Sequence, residues 1–116
     1  MRIAEVIGCV TLSRWHPSLA GGRFPLAVPL TLDELSASST ASREPSGPEP
    51  QAEGRQRPEG EELVVYDQLG AGVGSRIAMS EGGEAAQPFY PDMKPIDAYN
   101  AAILDTIHMQ VKAGAR

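Results

Sequence analysis

Residues 33–60, DELSASSTASREPSGPEPQAEGRQRPEG, contain four prolines, one leucine, no aromatic residue and no β-branched aliphatic. Such a stretch cannot bury enough apolar surface to offset the entropy lost on ordering. It reads as a mobile polar insertion within a single domain spanning 1–116. The foldable remainder is under about 90 residues, a size at which a lone core is marginal and disulfides, a metal or oligomerisation commonly add stability. Cys9 is the only cysteine, which excludes an intrachain disulfide and fits a reducing compartment. His16 and His108 lie far apart, and no group of His, Cys, Asp and Glu has ligand spacing, so no metal is expected. Elimination leaves burial against other protein chains.

Charge and the N-terminus narrow the partners. A formal net charge of -5 argues against nucleic acid, because a phosphate backbone rewards a basic surface. The opening MRIAEVIGCVTLS has one basic residue and a short apolar run interrupted by Glu5, so it is neither a signal peptide nor a membrane span.

Periodicity outside the insertion is that of strands. Arg2 to Leu12 is largely apolar on both parities, as in a strand covered on both sides. Pro17 and Gly21-Gly22 then supply turn chemistry. In the second strand Phe24, Leu26, Val28 and Leu30 share one face, expected to be the core face, while Pro25 and Pro29 on the other parity point to an edge or to pairing through alternate residues. A third strand is expected at Leu63 to Tyr66 and a fourth at Arg76 to Ser80, with Ile77 and Met79 on one face. Short strands with Gly/Pro turns suggest a small barrel. One helical turn fits around Glu84 to Gln87 before Pro88. The segment from Ile96 onward is ambiguous: Ile96, Tyr99, Ile103 and Ile107 have helical spacing with Asp97 as N-cap, yet 97–107 also fits period two.

The glycines of LVVYDQLGAGVGSRIAMSEGG, residues 63–83, raise the question of a phosphate cradle. A dinucleotide fingerprint needs G-x-G-x-x-G opening a helix. Counting from Gly70, the third glycine position is Ser75; from Gly72 it is Ile77. Ser75 to Ser80 is also too short for the helix before Gly82 and Gly83. A turn needing positive φ, or close approach to another chain, is the better reading.

Three separated stretches, MRIAEVIGCVTLSRWHPSLAGGRFPLAVPL, VVYDQLGAGVGSRIAMSEGGEA and KPIDAYNAAILDTI, together resemble one family, the pentamer-forming EutN/CcmL vertex proteins of bacterial microcompartments. MRIAEVIGCVTLSRWHPSLAGGRFPLAVPL resembles its opening, a strand with "IGxV", a "PSLxG" turn and a second strand closing in proline-leucine. VVYDQLGAGVGSRIAMSEGGEA resembles its aspartate, Gly-Ala-Gly-x-Gly and short strand, and KPIDAYNAAILDTI its closing strand. The similarity covers essentially everything outside 33–60. It implies a mainly β, small OB-like β-barrel with one short helix that assembles as a cyclic pentamer. It also favours a strand over a helix for Ile96 to Asp105, with a short tail helix expected after Thr106.

The function so implied is structural: a pentamer capping the vertices of a microcompartment shell in the bacterial cytoplasm, with enzymes inside the shell and no catalytic residues or cofactor in the vertex protein. Gly70, Ala71, Gly72, Val73, Gly74 and Ser75 would line a narrow pore at the five-fold axis, with Ser75 where the family often has an acidic residue. Ile3, Ile7, Trp15, Tyr66 and Tyr99 are candidates for the subunit interface, being large groups that so small a barrel cannot all enclose. Hexameric shell proteins are the expected partners, through the loops Trp15 to Gly22 and Phe89 to Lys94.

Two alternatives compete. An OB-type single-stranded nucleic-acid-binding module needs a basic groove with stacking aromatics. Ten Lys/Arg face fifteen Asp/Glu here, and Arg43, Arg55 and Arg57 sit in the insertion. A nucleotide-dependent enzyme would have to use Asp67, Asp97 or Asp105, beside which the sequence puts no histidine, lysine or metal cluster. Carboxylates at strand ends more often accept backbone N–H groups in turns.

Overall fold

The computed structural model describes residues 1–40 and 57–110. Most of the insertion, 41–56, and the residues 111–116 lie outside the described residues. The elements are β1 (Arg2–Val10), a 3-10 turn (Pro17–Leu19), β2 (Phe24–Pro29), α1 (Leu32–Thr40), β3 (Leu63–Val64), β4 (Arg76–Glu81), α2 (Gly83–Ala86), a second 3-10 turn (Gln87–Phe89) and β5 (Ala98–Leu104). The strands form one antiparallel sheet in the order β3-β2-β1-β4-β5. Its two edges meet beyond β3, where Tyr66 forms a parallel bridge with Tyr99. The Tyr66 N–H donates to the Ala98 carbonyl at 2.9 Å, and the Asn100 N–H donates to the Tyr66 carbonyl at 3.0 Å. The sheet is thus not a continuous ladder all round, and this bridge spans its seam.

The enclosed core is built mostly from alanine and valine, with Ile77 and Met79 as its large residues. Ala4, Val6, Ala27, Val65, Ile77, Met79 and Ala98 form it, with Leu63 and Ala71 packed against its margin. Ile77 and Met79 point inward as their spacing predicts. Between Val6 and Gly8 the register of β1 against β2 shifts by a β-bulge, which bends the strand and increases its local twist.

Several expectations change. On β2 the buried parity is that of Pro25 and Ala27, whereas Phe24 and Leu26 are half-buried: the lumen admits compact side chains and not a phenylalanine. Val28 is also buried, with Gly60 lying against it. Nor is β2 an edge, since it pairs with both β1 and β3. The third strand is shorter than the expected Leu63 to Tyr66, because only Leu63 and Val64 join the ladder with β2. Residues 106–110 carry no helix.

The start of the insertion, 33–40, is helical rather than irregular. Its signal is a capping box, T-x-x-E, at Thr31 to Glu34. The Thr31 Oγ1 accepts from the Glu34 N–H at 3.1 Å, and Glu34 Oε1 accepts from the Thr31 N–H at 2.8 Å. Glu34 Oε2 also accepts from the Glu59 N–H at 3.0 Å, tying the returning chain to the helix. These donors, the Thr31 and Glu59 backbone first, hold the Glu34 carboxyl below its ordinary range.

An aromatic chain outside the core binds the turns to the barrel. Phe24, Tyr66, Phe89 and Tyr99 meet in successive edge-to-face contacts with centroids 5.8, 5.6 and 5.2 Å apart, each worth about 0.5–1.5 kcal/mol beyond burial. Gly22 lies directly on the Tyr66 ring, so any Cβ there overlaps the ring. Gly22→Ala is therefore expected to lower unfolding stability by about 1–3 kcal/mol, read from urea denaturation. An unchanged midpoint would show that the ring can move at no cost.

Candidate functional site

The glycine loop leaves the seam at Asp67, whose backbone is fixed in both directions: its N–H donates to the Arg23 carbonyl at 2.9 Å and its carbonyl accepts from the Arg23 N–H at 2.7 Å. Its fully buried carboxylate turns into the loop. Oδ1 accepts from the Leu69 N–H at 2.8 Å and from Asn100 Nδ2 at 2.8 Å; Oδ2 accepts from the Gly70 N–H at 3.1 Å and the Ala71 N–H at 2.8 Å. The charge is thus met by three amide dipoles and a carboxamide, an arrangement that suits an anion. Loop amides that a phosphate would need already hold an internal carboxylate.

Ser75 and β1 fix the far half of the loop. Ser75 Oγ accepts from the Gly72 N–H at 3.2 Å, and the Ser75 N–H donates to the Gly72 carbonyl at 3.0 Å. The Gly74 N–H donates to the Val6 carbonyl at 2.8 Å and the Val6 N–H to the Ser75 carbonyl at 2.9 Å, at the β1 bulge. From Leu69 to Ser75 no side chain is charged. Ala71 packs on the core, while Leu69 and Val73 are exposed, Val73 by 72%.

The three glycines are there for different reasons. Gly70 and Gly74 have φ of 87° and 93°, which L side chains rarely adopt. Gly72 has no positive φ, and a Cβ on it would meet nothing within 4 Å. Nothing inside the protomer requires glycine there.

At a second surface the structure brings together the loops flanking Pro17 and Phe89. The Lys94 ammonium donates to the Ser18 carbonyl and lies 4.6 Å from the Phe89 ring centroid and 5.0 Å from that of Tyr66. His16 Nδ1 accepts from the Ser18 N–H at 3.1 Å and caps the first 3-10 turn. Between these loops is a cleft of about 410 Å³ lined by His16, Gln87, Tyr90, Asp92, Met93 and Pro95 among others. Trp15, Tyr90 and Met93 are exposed on this side, Tyr90 by 80% and Met93 by 88%.

Of the interface candidates, Ile3 and Ile7 lie half-buried on β1, Trp15 is exposed, and Tyr99 is half-buried beside Phe89. Tyr66 is corrected. It is buried within the protomer, its hydroxyl donating to the Ala20 carbonyl at 3.3 Å, and cannot serve a neighbour. Sequence reasoning missed Asn100, and it placed Lys94 only within the loop Phe89 to Lys94, without its contacts to Ser18 and the aromatic rings. Asn100 had one signal, a polar residue inside the apolar run AYNAAIL, since a polar group on a strand's inner face needs a partner. Among the described residues no three metal-ligating side chains converge. No helix there is long and apolar enough to cross a membrane.

A five-stranded barrel with a glycine loop anchored on a buried aspartate defines a class of small β-proteins, and comparison with known proteins identifies which. The family model described as ethanolamine utilisation protein EutN/carboxysome matches residues 1–105, and the chain belongs to that family. The bacterial microcompartment shell vertex protein PduN of Salmonella typhimurium is 32% identical over 108 residues, covering 92% of this chain and 98% of its own. The carboxysome shell vertex protein CcmL of Synechococcus elongatus is 29% identical over 110 residues, covering 95% of this chain and 89% of its own. Among solved structures, the GrpN pentameric microcompartment shell protein from Rhodospirillum rubrum superposes with a TM-score of 0.65 at 26% identity, covering 95% of this chain and all of that one.

The glycine geometry sets an expected order of cost. Gly70→Ala and Gly74→Ala should each destabilise the protomer by about 1 kcal/mol or more through positive φ, whereas Gly72→Ala should leave it within about 0.5 kcal/mol. Chemical denaturation of the three variants under dissociating conditions checks this, and equal costs would contradict it.

Proposed function

We propose that this chain is a structural, non-catalytic component of a bacterial microcompartment shell, a homopentamer that closes its vertices in the bacterial cytoplasm. In the ring, the loop Gly70 to Ser75 from five copies surrounds a narrow axial opening. The observation that carries this reading is Gly72, which has ordinary φ and open space around it within one protomer. A glycine without an internal reason fits a place where another backbone approaches. The exposed Leu69 and Val73 on the same loop support it, since apolar side chains displayed on a fixed loop suit an interface. So do the relatives that are named as vertex proteins or as pentameric.

The opening in this reading is lined by backbone and Val73 rather than by charge, because Ser75 is neutral and its hydroxyl bonds to Gly72 within the loop. Ile3, Ile7 and Tyr99 remain candidates for contact between protomers, which in a cyclic ring is head-to-tail. Hexameric shell proteins are the outer partners, through the paired loops around Trp15 and Tyr90. Support for this comes from Lys94 and Ser18, which join loops distant in sequence into one exposed surface carrying Trp, Tyr and Met, residue types enriched at interfaces.

Native mass spectrometry should give a species near five times 12.3 kDa. Gly72→Val should lose that species while keeping the β-sheet circular dichroism, because the strain recurs in every protomer of the ring. A wild-type monomer or dimer across concentrations would overturn the reading, as would an intact pentamer of Gly72→Val.

A further inference from the structure

We infer that Asp67 and Asn100 are the positioning residues of the glycine loop, and that through them the shape of the loop is set by strand β5. The significance for assembly rests on the pentamer reading above; the positioning itself is a property of the protomer.

The chemistry of the acceptors makes an aspartate necessary. Four donors converge, two on each carboxylate oxygen. An asparagine has one acceptor oxygen, and its amide nitrogen would face N–H groups wherever it replaced the other. Serine or threonine likewise offers a single acceptor oxygen, on a shorter side chain. Because Asp67 is fully buried, no water replaces a lost acceptor without rearrangement.

Asn100 is equally committed. Its Nδ2 donates to Asp67 Oδ1, its Oδ1 accepts from the Ala102 N–H at 3.1 Å, and its own N–H holds the seam to Tyr66. This lies where β5 shifts register against β4: Ala102 faces Ala78, Asn100 faces Met79, and Ala101 falls between. One carboxamide therefore satisfies the amide beside the β5 irregularity and completes the shell of the carboxylate that shapes the loop. The Asn100 carboxamide spends its bonds on Asp67 and Ala102, so its hold on residues 69–75 runs through Asp67.

Hydrogen exchange on the full chain tests this. In the wild type the Leu69, Gly70 and Ala71 amides should be protected although they lie in a surface loop. Asp67→Asn should accelerate all three by at least about tenfold, the equivalent of losing one hydrogen bond to a charged group. Asn100→Ala should accelerate them as well, in both variants with the β1–β2 ladder amides unchanged, and both should lose pentamer by native mass. Unchanged loop protection in Asn100→Ala would overturn the inference, as would acceleration spread evenly over β1 and β2, the mark of general destabilisation. If Asp67→Asn fails to fold, Asn100→Ala decides alone. An exposed loop with an intact pentamer would overturn the link to assembly. A wild type that is not pentameric would defeat the proposed function and leave the exchange result to stand on its own.

Discussion

Two backbone hydrogen bonds at Tyr66, one to Ala98 and one from Asn100, join the edges of a sheet that would otherwise lie open. Much of the rest depends on that seam. Bringing β3 and β5 together encloses a lumen filled by three alanines, two valines, an isoleucine and a methionine. A core so small offers limited stabilisation. The same closure aims the Asp67 carboxylate at the start of the glycine loop and presses the Tyr66 ring into a chain of aromatic contacts outside the barrel.

The glycine loop is held by hydrogen bonds within the protomer rather than by a ligand. Its first half surrounds a carboxylate and its second half is stitched to the β1 bulge, so its exposed side chains are displayed in a fixed arrangement. Ordering entropy is a main cost of association through loops, and a loop already ordered avoids it. The inner face of the loop is bonded within the protomer, and its outer face, with Gly72, Leu69 and Val73, is left exposed.

Much of the fold was legible in the sequence, because strand alternation at Ile77 and Met79 and turn chemistry at Pro17 and Gly21 arise from local physics. The choice of strand for Ile96 to Asp105, observed at Ala98–Leu104, rests on resemblance rather than on period, since this alanine-rich segment satisfies both periods. The inward parity of β2 was misread because its large residues were assigned to the core, when Pro25 and Ala27 take the buried parity. Helix α1 was missed although Thr31 and Glu34 spell its cap; the polar composition of the insertion beyond Leu35 masked the start signal. At the site, the glycines were visible as a motif, but their separate reasons were not: φ at Gly70 and Gly74 is a backbone property, and the emptiness around Gly72 exists only in three dimensions. Asn100 and Lys94 act through partners 33 and 76 residues away, a distance over which no local pattern operates.

The central claim is that five copies of this loop surround one axis. Electron cryomicroscopy of the purified assembly, reconstructed without imposed symmetry, measures it directly. The expected result is a ring of five barrels with Gly72 of every protomer innermost and the Trp15 and Tyr90 loops at the outer rim. A ring of another order, or a pentamer whose glycine loops lie on the periphery, would contradict it.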